Sequence, residues 1–220
     1  MNECFITMPQ QPWPWPLPRC GRHRVPAVPT EPLTSSSLPP WRPLLRAAQE
    51  EGRSPMRRWV QLATTGTDGW PRVRTLVYRG WRDANTVELL TDQRSRKVTE
   101  LNQNPQCELC WLLPKARCQF RFKATRLTLH PDDQERRALQ HWVQLSPGAR
   151  ALWGWPSPGE PLISNANFPE AISDGTPPPT SFQLLSLRIQ EVELLELIGT
   201  PHRRRRWMAQ DGWIAANLNP

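Results

Sequence analysis

The chain has one Tyr, four His and five Cys in 220 residues, and each shortage closes a route. The cysteines, at 4, 20, 107, 110 and 118, are an odd number without the spacing of a disulfide framework, so a reducing compartment, the cytoplasm, is expected. His23, His130, His141 and His202 are scattered and offer no nucleophile–base constellation, so no catalytic acid or base is nominated. Cys107 and Cys110 form a C-x-x-C, but they lie in a run that reads as a strand, where positions three apart face opposite ways. Without a second such pair or a nearby His, no metal site is expected. No G-x-G-x-x-G and no G-x-x-x-x-G-K-[ST] occurs, which leaves side chains and a helix start to hold any nucleotide phosphate. No stretch approaches the roughly 18 apolar residues of a membrane span, and the first residues lack the uninterrupted apolar region of a signal peptide.

Proline and tryptophan, by contrast, are plentiful, at 26 and 12. Ten of the prolines fall between Pro9 and Pro40, including Pro12-Trp13-Pro14-Trp15-Pro16, with almost no periodic apolar pattern around them. Residues 1–40 are therefore expected to form a disordered tail and 41–220 a single domain. The net charge of +8, from 28 Lys+Arg against 20 Asp+Glu, favours an anionic partner. The basic residues are dispersed over Arg57-Arg58, Arg136-Arg137 and the run Arg203 to Arg206, not gathered in one stripe. A small phosphorylated molecule is thus expected as partner, and nucleic acid is not.

From Trp41 onward the periodicity is regular. Residues 43–51 read as a short amphipathic helix stopped by Gly52. Residues 58–65 alternate as a strand with Val60, Leu62 and Thr64 on one side. Gly66-Thr67-Asp68-Gly69 is turn chemistry leading to a second strand over 71–79, and 86–91 read as a third. A helix beginning near Arg94 ends at Asn104-Pro105. Strands over 106–113 and 117–129 follow, the second with a bulge near Lys123-Ala124. His130-Pro131-Asp132-Asp133 starts a helix carrying Leu139, Trp142, Val143 and Leu145, with His141 as a structural residue on its apolar face. Residues 146–155 are expected to be helical, 156–180 a Pro/Gly-rich loop, 181–197 one or two strands and 213–217 a last strand. Antiparallel strands with inserted helices describe an α+β protein built on a small barrel.

One segment carries chemistry. Leu90-Thr91-Asp92-Gln93-Arg94-Ser95-Arg96-Lys97 ends an apolar strand and offers a hydroxyl and three cations to an anion. A helix starting there adds unpaired backbone N–H groups and the positive end of its dipole, which together read as a phosphate clamp.

These residues also carry a resemblance. Arg74-Thr75-Leu76-Val77, the 90–97 segment, Asn104-Pro105 and Arg117-Cys118-Gln119-Phe120-Arg121 resemble, in order and spacing, the successive motifs of the pyridoxamine 5'-phosphate oxidase family of FMN-binding split barrels. Trp41-Arg42-Pro43-Leu44-Leu45, Trp155-Pro156, Pro158-Gly159 and the ending from Trp213 to Pro220 are similar to its cyanobacterial-type, Alr4036-type branch. The resemblance spans Trp41 to Pro220 and implies an antiparallel FMN-binding split β-barrel that works as a homodimer, with FMN at the subunit interface. It places Arg74, Ser95, Arg96 and Lys97 on the FMN phosphate and Thr91 beside the flavin or its ribityl chain. Gln119 falls on the isoalloxazine ring, and Arg206 on the flavin from the partner subunit. The backbone from Arg74 to Arg79 passes along the ring, with Arg79 toward the substrate. Where the founding oxidases carry Arg-Leu-His-Asp-Arg, this chain has His202-Arg203-Arg204-Arg205-Arg206, so His202 and Arg204 stand at the substrate-contacting positions and only the last Arg matches. The implied activity is oxidation of pyridoxamine or pyridoxine 5'-phosphate by hydride transfer to FMN, which dioxygen reoxidises; the alternative is a flavin reductase or flavin carrier.

Overall fold

The computed structural model describes residues 38–220 except Arg53, so the expected tail, apart from its last three residues, lies outside the described residues. Helix α1 (Trp41–Glu50) starts two residues before the expected 43 because Trp41 belongs to the core. Its indole is fully buried, with the rings of Trp81, Phe122 and Trp213 centred 5.5–5.7 Å away.

Strand β1 (Trp59–Thr65) buries Val60, Leu62 and Thr64, as the alternation requires, and pairs with β2 (Pro71–Trp81) from Trp59 opposite Val77 to Thr65 opposite Pro71. Beyond β3 (Thr86–Asp92), α2 (Arg96–Gln103) leads into β4 (Gln106–Leu113) and β5 (Cys118–Arg126). Helices α3 (Pro131–Val143) and α4 (Pro147–Ala151) precede the irregular stretch over 156–180. The long β6 (Phe182–Glu196), β7 (Arg203–Met208) and β8 (Ala216–Leu218) complete the chain. The sheet order β3-β2-β1-β4-β5-β6 closes on itself because β3 also pairs with β6, giving an antiparallel barrel of six strands; β7 and β8 extend the sheet from β6.

Several boundaries differ from the expectations. Only 147–151 of the segment 146–155 is α-helical, with a 3-10 turn over Leu152–Gly154. The last strand begins at Ala216 because Trp213 adopts a left-handed conformation, φ 63°, and folds back onto Trp41. The basic run is itself a strand: Arg203 and Arg205 pair with Glu196, and Arg204 pairs with Glu193, all across the β6–β7 ladder. Opposite charges on facing strands stabilise pairing, so the basic run is largely neutralised in the fold. The bulge at Lys123/Ala124 is present, and the extra residue is Gln190 of β6, since Glu191 faces Lys123 and Ile189 faces Ala124.

The barrel interior holds one apolar core, including Leu62, Leu89, Trp111, Phe120, Phe122 and Trp207, with Leu101 of α2 closing one end. A second cluster lies outside the barrel between β3, β6 and the α3–α4 segment. There Trp142, Trp153 and Phe182 meet edge to face, with ring centroids 4.9–6.1 Å apart. Trp153 also donates its indole N–H to the Thr91 carbonyl at 2.9 Å, which fixes one wall of the site.

Candidate flavin site

The barrel is split where β2 and β3 part. Tyr78 faces Leu89, but Gly80 faces Glu88, so Arg79 is the extra residue of a bulge and has no partner in the ladder. Beyond the Tyr78–Leu89 pair β2 pairs only with β1, and β3 only with β6. The edges Thr75–Val77 and Leu90–Asp92 therefore face each other across a cavity of about 510 Å³, and the bulge brings Arg79 to its lining. Trp153, Trp155 and the loop from Pro156 to Phe168 form the outer wall. This volume lies within the usual range for small-molecule and cofactor pockets.

The polar floor is built by β3, the turn after it and α2. The Lys97 ammonium donates to Thr91 Oγ1 at 3.0 Å and to Ser95 Oγ at 2.8 Å. It makes no ion pair with a carboxylate among the described residues, and burial, then the nearby Arg74 guanidinium, hold its pKa below the ordinary value of 10.5. Ser95 Oγ in turn donates to the Asp92 carbonyl at 2.6 Å. Arg74 reaches the same region from β2, donating to Thr64 Oγ1 at 2.5 Å and to Glu100 Oε2 at 2.8 Å.

Arg94 departs from the expected clamp. The Asp92 carboxylate accepts from its backbone N–H at 2.8 Å and from its guanidinium at 2.6 and 3.0 Å, while the same side chain donates to the Trp155 carbonyl. This local turn keeps residues 93–95 out of the helix, so α2 begins at Arg96 with an extended Ser95 as its N-cap. Arg94 thus ties the turn to the outer wall, leaving Arg96 and Lys97 as this segment's cations without carboxylate partners among the described residues. Arg96 is exposed on the first turn of α2.

Within one chain the expected site residues form two groups. Arg79, Thr91 and Lys97 line the cavity, with Arg74 and Ser95 hydrogen-bonded into its floor. Gln119, Arg204 and Arg206 stand on the outer face of the sheet, Gln119 and Arg204 both opposite Leu195 and Arg206 opposite Glu193. Arg204 is committed to Glu193, and His202 sits exposed on the β6–β7 turn, its Nδ1 3.2 Å from the Gly199 carbonyl oxygen. The buried Nε of Arg206, like that of Arg79, has no hydrogen-bond partner among the described residues. Reading by sequence missed Glu100 and Thr64 beneath Arg74, and it singled out the segment from Trp153 to Gly159 only as a mark of the family branch, without a place in the wall. Glu100 leaves no sequence signal, because helical period sets it off the face of Val98 and Leu101 and only the fold buries it.

Comparison with known proteins decides the family. A pyridoxine/pyridoxamine 5'-phosphate oxidase 2 from Arabidopsis thaliana is 32% identical over 165 residues, which cover 72% of this chain and 83% of that protein. The chain belongs to the pyridoxamine 5'-phosphate oxidase-like family. The family description "Pyridoxamine 5'-phosphate oxidase, FMN-binding domain" matches residues 38–129, a stretch that contains the cavity floor and Gln119 but not the basic strand. A pyridoxine/pyridoxamine 5'-phosphate oxidase from Salinibacter ruber is 27% identical over 177 residues, 73% of this chain and 79% of its own length. Among solved structures, a pyridoxamine 5'-phosphate oxidase-related, FMN-binding protein from Nostoc punctiforme superposes with a TM-score of 0.73 at 35% identity, covering 84% of this chain and all of that one. The cofactor of this pyridoxamine 5'-phosphate oxidase-like chain is accordingly FMN, held in an α+β split barrel. The floor fits a phosphate monoester: an ammonium without a counter-ion, two hydroxyls and a guanidinium converge there, while the nearby carboxylates of Asp92 and Glu100 are bonded to arginines.

Proposed function

We propose that the protein is an FMN-dependent oxidase of pyridoxamine or pyridoxine 5'-phosphate. The observation that carries this reading is the cation-rich floor of a cleft whose rim holds a further unpartnered arginine. In this assignment Lys97, Arg74, Ser95 and Arg96 hold the FMN phosphate, and Thr91 lies beside the ribityl chain or ring. The unpaired edge of β2 from Arg74 to Arg79 runs along the ring, and Arg79 takes the anionic end of the substrate. Bound FMN supplies a hydride acceptor for the substrate carbon bearing the amine or alcohol and is reoxidised by dioxygen. The chain's own part is orientation and charge: the Pro156–Phe168 wall limits water, and the buried Nε of Arg79 lacks a partner until an anion arrives.

Gln119, Arg204, Arg206 and His202 reach a flavin only from a second copy, so the working unit is proposed to be a homodimer in the cytoplasm. The outer barrel face that joins the two groups exposes Trp59, Val73 and Leu112, and an isologous contact on that face supplies apolar area for the pairing. The free Cys107, Cys110 and Cys118 suit a reducing compartment.

Purified protein is expected to be yellow and to release FMN on denaturation, and to form hydrogen peroxide from pyridoxamine or pyridoxine phosphate. Absence of turnover at saturating substrate would reject the oxidase and leave a flavin reductase or carrier. That second reading draws on the basic strand, where Arg204 is engaged by Glu193 and His202 lies in solvent. Arg96→Ala is expected to weaken FMN binding by about 2 kcal/mol, roughly thirtyfold. A fluorescence titration with unchanged affinity would remove Arg96 from the phosphate.

A further inference from the structure

Glu100 is buried although helical period places it off the face that carries Val98 and Leu101. It is 4% exposed, flanked on the helix by the buried Val98 and Leu101, and it faces the end of the barrel. A carboxylate there is costly unless hydrogen-bonded. Two donors meet it, both on Oε2: the Thr64 hydroxyl at 2.6 Å and the Arg74 guanidinium through Nη2 at 2.8 Å. Arg74 Nη1 donates to that same Thr64 oxygen at 2.5 Å and to the Leu62 carbonyl at 3.3 Å. The three side chains close a ring that joins β1, β2 and α2.

The ring leaves a definite remainder. A guanidinium has five N–H donors in a fixed plane. Nη1 spends both of its hydrogens and Nη2 one, so Nε–H and the second hydrogen of Nη2 have no partner among the described residues. These are the donors of one fork, the geometry that takes two oxygens of a phosphate. Without the carboxylate, Arg74 would keep its charge but lose the contact that fixes the plane of its fork.

We propose that Glu100 is a positioning residue that, with Thr64, orients Arg74 as a pre-set fork for the flavin phosphate. The inference rests on the reading of Arg74 as a phosphate ligand. Two effects oppose each other when Glu100 is removed: Arg74 becomes free to reorient, which weakens binding, and a negative charge near the phosphate is lost, which strengthens it. Orientation prevails because the Glu100 charge is already offset by Arg74 at direct contact, whereas ordering a long side chain on binding has no such compensation.

The test compares FMN with riboflavin, which lacks the phosphate, by flavin-fluorescence titration of the full chain. Glu100→Ala is expected to weaken FMN about tenfold and to leave riboflavin unchanged. In an Arg74→Ala background the same substitution is expected to have no further effect on FMN. Thr64→Val, which removes the bridge without touching a charge, should give a smaller loss confined to FMN, and it serves as the reading if the alanine variant does not fold. Equal losses for FMN and riboflavin, full additivity with Arg74→Ala, or tighter FMN binding would each overturn the proposal, the last by showing that the carboxylate competes for Arg74. Unchanged FMN affinity in Arg74→Ala alone would remove the phosphate reading beneath it.

Discussion

Lys97→Ala is expected to weaken FMN binding by about 3 kcal/mol, roughly 150-fold, the largest effect of any single change in the proposed phosphate site. Lys97 exceeds the exposed Arg96 in weight because its ammonium is half-buried and held between Thr91 and Ser95, with no carboxylate to compete for it. Removing it also leaves two hydroxyls without their donor in a partly desolvated floor. Its charge is needed for the contact, and burial together with Arg74 lowers its pKa, so FMN affinity should be full at neutral pH and fall on the alkaline side below the usual lysine range. In Lys97→Ala that alkaline loss should disappear. A titration in which Lys97→Ala costs no more than a few-fold would place the phosphate elsewhere.

Glu88→Ala is expected to destabilise the fold by about 3 kcal/mol. Glu88 lies on β3 beneath α3, 1% exposed. Arg137 donates to both of its oxygens at 2.5 and 2.7 Å, and His141 Nε2 lies 2.8 Å from Oε2. Burial alone would raise its pKa, but the hydrogen bonds from His141 and Arg137 outweigh it and bring the value from 4.5 down to about 2. Because the folded value is the lower one, the carboxylate contributes its stability above pH 4.5 and loses it as the pH falls toward 2. A shift of that size corresponds to about 3 kcal/mol, consistent with the cost of breaking a buried pair. For a domain of this size the melting temperature should drop by roughly 6–12 °C. Glu88→Gln should flatten the acid limb of the stability profile. A change under about 1 kcal/mol in denaturant titration would mean that Arg137 and His141 do not anchor α3. Helix α3 backs the Trp142–Trp153–Phe182 cluster, so the same change should also loosen the wall of the flavin cleft.

His141 shows how the two levels of reading differ. Its structural role is as expected, but the face it shares is not: Trp142 and Leu145 are buried, whereas Leu139 and Val143, expected on the same face, are exposed. Its partner is not legible either, because Glu88 is 53 residues away and reads in sequence as one polar residue in an apolar strand. The basic run shows the same in reverse. Four consecutive arginines look like a surface for an anion until β7 lies beside β6 and Glu193 and Glu196 take up three of them.

Local chemistry determined a good deal by itself. The alternation in β1, the turn at 66–69 and the polar turn after β3 depend on neighbours within a few residues, and all are legible from order alone. So is the concentration of hydroxyls and cations at 91–97, since one turn gathers them whatever the rest of the chain does. Tertiary structure decided the remainder. It tied Arg94 to the Trp155 carbonyl, set Glu100 and Thr64 behind Arg74, placed Arg79 at a bulge on the cleft, and divided the candidate residues between the cavity and the opposite sheet face. These outcomes rest on strand register and barrel closure, which bring together residues tens of positions apart, and sequence spacing carries no record of such distances.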